Sequence, residues 1–136
     1  MASPFVLEKP KDPDDLIRPA VEGATRAVTA ALDAGAERVV MTSALATMQF
    51  ARAPKGHLYT EADRTDPDAP RLNAYTVSKI RAERAALDLA WRRGASDRLA
   101  VINPGAVIGP LLTDDPGTSI TAIQETGSSL AERHLV

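Results

Sequence analysis

Apolar residues along this chain follow two periods, and the alternation of periods predicts its elements. Ala20, Ala24, Val28, Ala31 and Leu32 recur at three- and four-residue spacing. That spacing puts them on one helix face, and Gly35 ends the run. Asp12-Pro13-Asp14-Asp15 reads as the helix start, with a capping aspartate, a proline in the first turn and acids near the positive helix end. Pro19 falls inside this helix and is expected to kink or restart it. Arg38-Val39-Val40-Met41-Thr42 is a short β-branched apolar run, read as a buried strand that ends in Ser43 and Ala44. A second helix is expected from about Asn73 to Arg93, stopped by Gly94. Its small residues Ala82, Ala85, Ala86 and Ala90, with Leu89, permit close packing on a sheet. Leu99-Ala100-Val101-Ile102 reads as a second buried strand, closed by Pro104-Gly105.

Between the first strand and the second helix, residues 45–72 hold the turn and cap material Thr60-Glu61-Ala62-Asp63 and Asp66-Pro67-Asp68-Ala69-Pro70. A structureless loop of this length in a compact domain is functional or mobile more often than a short one. Residues 1–11 are proline-punctuated and 106–136 are weakly patterned. The order helix, strand, long loop, helix, strand implies an α/β fold with parallel strands and crossover helices. Two strands make a small sheet, because parallel sheets are normally wider and covered on both faces. The chain therefore reads as part of a larger α/β domain, with uncovered strand faces that should make it marginally stable when isolated.

Composition narrows the function classes. The chain has 136 residues and a formal net charge of -2, which gives no electrostatic case for nucleic acid or an anionic membrane. No apolar run is long enough for a membrane-spanning helix, and the N-terminus lacks the basic and apolar regions of a secretory signal. With no cysteine there is no disulfide, thiolate nucleophile or zinc-thiolate site. These features fit a cytoplasmic protein. His57 and His134 have no metal-ligand spacing, and Asp63, Asp66 and Asp68 lack the ligand pattern of a calcium loop, so no metal site is expected. His57 is expected to be solvated and Trp91 to be packed.

Tyr75-Thr76-Val77-Ser78-Lys79 carries the clearest chemistry. Residues four apart on a helix share a face. A free phenol titrates near 10, and a nearby cation favours its ionised form. Such a phenol can give a proton to a carbonyl oxygen while hydride reaches the carbon. Lysine also has donors to spare for ribose hydroxyls. The hydroxyls at the end of the first strand, Thr42 and Ser43, lie where ligands bind in open α/β sheets. Asn103-Pro104-Gly105 ends the next strand with one backbone donor removed and a residue that permits close approach.

These segments resemble, in order and spacing, the extended short-chain dehydrogenase/reductase superfamily, and within it the dihydroflavonol-reductase-like and aldehyde-reductase-like members. Ala2-Ser3-Pro4-Phe5 resembles the end of the family's fourth strand, and Pro19-Ala20-Val21-Glu22-Gly23 the start of the following helix. Val39 to Ala44 resembles the strand that delivers a catalytic hydroxyl. Tyr75 to Lys79 resembles the catalytic motif, and Asn103 to Pro110 the segment lining the nicotinamide. The resemblance implies a partial Rossmann-like sheet, the central part of an NAD(P)-binding domain spanning residues 1–136. It implies NADP or NAD as cofactor and a small-molecule aldehyde or ketone as substrate. Tyr75 would be the proton donor, with Lys79 lowering its pKa and holding the nicotinamide ribose. Pro104, Gly105, Ala106 and Val107 would hold the carboxamide end of the ring. The loop 45–72 would border the substrate.

Two departures bear on activity. Most relatives end the strand Thr-Ser-Ser, and the position of the second serine is Ala44 here. Ser43 and Thr42 are the candidate substitutes for the catalytic hydroxyl; Ser43, one residue earlier, points to the other face of a regular strand unless the chain bends. The family's Gly-x-x-Gly-x-x-Gly phosphate turn is not in this sequence, and the C-terminal substrate region reads as cut short. Two other readings therefore stand beside a carbonyl reductase: a sugar-nucleotide epimerase or dehydratase, and a non-catalytic remnant or binding module.

Overall fold

The computed structural model describes residues 10–107. The chain divides into two compact units, Met1–Gly105 and Ala106–Val136. The elements described here belong to the first.

Helix α1 spans Asp14–Asp33. Asp12 Oδ1 accepts the Asp14 N–H at 2.9 Å, so the acid at the predicted start satisfies one orphan amide. The helix runs through Pro19 without a break, so it does not restart there. The carbonyl that loses its partner is that of Asp15, and both residues are exposed, so water can satisfy it. At the other end Gly35 has φ 76, and the N–H groups of Gly35 and Ala36 donate to the carbonyls of Leu32 and Ala31. This closes the helix in a Schellman motif, which needs the left-handed backbone glycine adopts freely. Helix α2, Ala74–Arg92, begins with Asn73 Oδ1 accepting the Thr76 N–H at 2.8 Å. It ends in the same way at Gly94, whose φ is 63, with Ala95 N–H donating to Ala90 O.

Strands β1 (Val39–Thr42) and β2 (Leu99–Ile102) pair in parallel, with Val39 beside Leu99 and Thr42 beside Ile102. The ladder continues one step further, with Ser43 N–H donating to Ile102 O at 2.8 Å. Between β1 and α2 lie a short 3-10 turn, Leu45–Thr47, and a long irregular segment.

The alanines predicted to pack on the sheet also pack against the other helix. Ala20, Ala24 and Val28 of α1 share one core with Ala82, Ala86 and Ala90 of α2, closed by Met41 and Leu99. Small side chains let the two helices and the sheet meet at one centre, and Ala86 is wholly buried there. Both strands were expected to be buried; the structure buries one face of each. Met41, Leu99, Val39 and Val101 face the helices, whereas Val40, Thr42, Ala100 and Ile102 are exposed. This is the two-residue alternation of a sheet with one covered face. Trp91, expected to be packed, is 72% exposed. It follows Ala90, the last alanine of the core stripe, and so turns away from it.

Candidate active site

The strand ends, the first turns of α2 and the irregular segment meet at one edge of the unit. Tyr75 lies in the first turn of α2 and Lys79 one turn later. Both are half-buried, and the ammonium Nζ stands 5.4 Å from the ring centroid, over its face. Burial pushes the Tyr75 phenol above its ordinary value and the Lys79 ammonium below its own. The direction for Tyr75 is opposite to the lowering the resemblance implied. The cation faces the ring, an attractive placement for the π-system, and desolvation dominates at the phenol.

Ser43 continues the core-facing alternation of Met41. It is 6% exposed, and its Oγ is the buried side-chain polar atom without a hydrogen-bond partner among the described residues. Ala44 is extended, with φ -156 and ψ 148, so the chain does not bend to turn Ser43 outward. Thr42, the rival hydroxyl, is exposed. Pro104 is half-buried and its carbonyl accepts the Leu45 N–H at 2.9 Å, which fastens the two strand ends together. At Gly105 an added Cβ would meet only Leu45 Cδ2, at 3.7 Å, an ordinary contact, so the chain's own packing does not demand glycine there. Ala106 and Val107 belong to the second unit, where both are exposed. Ala2 to Phe5 and Ile108 to Pro110 lie outside the described residues.

Asn103 is the hub of the edge. Its Nδ2 donates to Glu83 Oε2 at 2.8 Å, to Thr47 Oγ1 at 2.8 Å and to Ala44 O at 3.2 Å. Thr65, wholly buried, does the same for the irregular segment. Its N–H donates to Thr47 O, its hydroxyl donates to Ala46 O and accepts from Phe50 N–H, and its carbonyl accepts from Arg84. Beyond Thr65 a cleft of about 430 Å³ opens beside the start of α2. Phe50, Tyr59, Arg71, Leu72 and Thr76 are among its lining residues. Arg71 has φ 72, in the left-handed region, where an arginine is uncommon. His57 is hydrogen-bonded to Asp63 at 2.9 Å and packs edge-on against Tyr59. The three aspartates considered above have separate partners. Asp63 holds His57 and Thr60, Asp66 accepts from Asp68 N–H, and Asp68 meets Arg81. No helix among the described residues is long and apolar enough to cross a membrane.

The sequence profile described as "NAD dependent epimerase/dehydratase family" matches residues 2–127. The chain belongs to this family. Among its relatives, cinnamoyl-CoA reductase 1 of Petunia hybrida is 36% identical over 125 residues, covering 87% of this chain and 36% of that protein. Dihydroflavonol 4-reductase of Zea mays is 36% identical over 121 residues, covering 83% and 33%. A solved structure of yeast methylglyoxal/isovaleraldehyde reductase Gre2, complexed with NADPH, superposes with a TM-score of 0.68 at 29% identity. It covers 83% of this chain and 36% of that one. The chain thus spans about a third of the length of the relatives it matches. The α/β reading and the reductase branch of the resemblance both agree with these relatives.

The sequence reading named the loop 45–72 that supplies most of the cleft lining but no individual residue as lining, and it missed Glu83 and Thr65. One signal was available for Glu83. It continues the Tyr75–Lys79 four-residue spacing yet sits between Ala82 and Ala86 of the core stripe, and a carboxylate is rarely buried without a purpose.

Proposed function

We propose that the protein is an NAD(P)-dependent oxidoreductase that reduces a small aldehyde or ketone to the alcohol. The half-buried Tyr75–Lys79 pair at the strand-end edge carries this reading, and kinship to reductases supports it. The donor set fits the nicotinamide-riboside end of the cofactor, since a partly desolvated ammonium has hydrogens to offer vicinal hydroxyls. The cofactor, when bound, supplies the hydride. Tyr75 gives its proton to the carbonyl oxygen. A phenol held up by burial is fully protonated at neutral pH, the state an acid needs. Lys79 favours the phenolate left behind and makes reprotonation easier. Pro104 and Gly105 are the candidates for the wall behind the ring, and Ser43, the candidate hydroxyl, faces the core and would reach a substrate oxygen only if the strand end turns. The cleft bordered by Phe50, Tyr59 and Leu72 suits an apolar substituent on the carbonyl compound. A cytoplasmic setting belongs to the same reading and is supported by the cysteine-free composition.

The test is NADPH- or NADH-dependent reduction of a panel of aldehydes by the chain, with Tyr75→Phe as the control. Loss of a positioned general acid costs about 10²- to 10⁴-fold. Turnover that survives the substitution overturns Tyr75 as donor. No turnover by the parent chain, together with no cofactor binding, favours the non-catalytic reading.

A further inference from the structure

Glu83 is 4% exposed, one helical turn beyond Lys79 and two beyond Tyr75. Its partner in the structure is the neutral amide of Asn103, and no cation pairs with it among the described residues. A carboxylate taken from water in this way is costly, and apolar residues fill such a position at less cost. What it gains is a charge-assisted hydrogen bond, stronger than a neutral one.

The direction of the network is fixed by its acceptors. Thr47 Oγ1 gives its one proton to Ala44 O, at 3.0 Å, so it can only accept from Asn103. Glu83 and the Ala44 carbonyl also only accept. The amide nitrogen of Asn103 must therefore face all three, with two hydrogens shared among three oxygens. Those oxygens come from the end of β1, the turn after it, and α2, while Asn103 itself directly precedes Pro104. One amide thus joins the two strand ends to the helix of Tyr75 and Lys79.

We propose that Glu83 is a positioning residue: through Asn103 it holds the Ala44–Thr47 turn and the Pro104 strand end at one fixed spacing from the Tyr75–Lys79 helix face. This rests on the reading of Tyr75 and Lys79 as the reacting pair. Glutamine at position 83 still accepts from Asn103, whereas alanine leaves the amide without its helical partner.

The test reads the Tyr75 phenol directly, by NMR titration of ring-labelled tyrosine in a Tyr59→Phe background, since the chain has two tyrosines. The parent should titrate above an ordinary phenol. Glu83→Ala should bring the midpoint back toward the ordinary value as the helix start loses its fixed, half-buried seat. Glu83→Gln should restore it. If Glu83→Ala does not fold, the double substitution Glu83→Leu/Asn103→Ala strands neither partner and reads the same midpoint. A stability loss with the midpoint unmoved reduces Glu83 to a structural residue and overturns the proposal. In a parent that reduces aldehydes, Glu83→Ala should lower kcat about tenfold with the aldehyde KM little changed. A parent without turnover sinks the reductase reading, while the phenol titration still decides the role of Glu83.

Discussion

Thr65→Val should loosen the irregular segment while leaving the helical core intact. Valine keeps the shape of threonine and removes the hydroxyl. The Thr65 hydroxyl makes two bonds, to Ala46 O at 3.1 Å and from Phe50 N–H at 3.2 Å. Both backbone groups then lose their partner beneath a side chain that is wholly buried. A buried group left unsatisfied costs about 1–3 kcal/mol. Because these two are only partly buried, about 1 kcal/mol each applies, or ~2 kcal/mol together. At ~1.4 kcal/mol per factor of ten, the local opening that exposes the Phe50 amide becomes roughly thirtyfold more frequent. Hydrogen exchange resolved by residue measures it. The Phe50 amide should exchange about thirtyfold faster, while Ala86, in the core between the helices, keeps its protection. The backbone bonds of Thr65 to Thr47 and Arg84 remain, so the segment should open locally. Phe50 protection within about twofold of the parent refutes the reasoning, because the hydroxyl then contributes nothing to the seat. Equal loss at Ala86 also refutes it, because the segment and the core would be one cooperative unit.

Three further outcomes are expected. Ala86→Leu adds three carbons where no surface is exposed; overpacking should cost about 1–3 kcal/mol, visible as a lower thermal midpoint, and an unchanged midpoint would mean that the helices separate freely. Burial raises the Tyr75 pKa in the folded state, so its contribution to stability is complete below about pH 10 and is lost as pH rises through the folded value; Tyr75→Phe should therefore flatten the alkaline fall in thermal midpoint, and identical alkaline profiles would count against a desolvated phenol. The Lys79 pKa is lowered by burial, so its charge opposes folding at neutral pH and that cost lifts as pH rises through the folded value; Lys79→Met should be more stable than the parent near neutrality in urea unfolding, and a less stable variant would show that the ammonium is structural.

Local chemistry made much of the fold legible. β-Branched runs marked both strands, Gly35 and Gly94 marked both helix ends, and the glycine stops coincide with left-handed backbone. Pro19 does not restart the helix, because a proline's cost depends on whether the carbonyl it deprives faces water, which sequence does not reveal. Trp91 was misread because a large apolar side chain follows its position on the helix, not its own preference. For the site, the four-residue spacing of Tyr75 and Lys79 was visible in sequence, but the phenol's direction of titration was not, since it follows from burial. Glu83 with Asn103, and Thr65 with Ala46, lie 20 and 19 residues apart. Such pairings exist only once the crossover has folded, so no window along the chain contains them.

The two helix-to-strand passages are near copies of each other. Each helix stops at a left-handed glycine, and a parallel strand begins four residues after the first and five after the second. The two linkers therefore act as rulers that set how far each strand advances, and they leave Ser43 and Asn103 level with one another at the same edge. A sheet side chain reverses sides with every residue of advance. One residue inserted between Gly94 and Leu99 would do more than lengthen a turn. It would carry Asn103 to the opposite side of the sheet, away from Glu83, while adding a single amino acid far from the edge where the loss is felt. In evolution or engineering, length in these two short linkers should prove less tolerant of change than identity, and the long segment 48–73 should show the reverse.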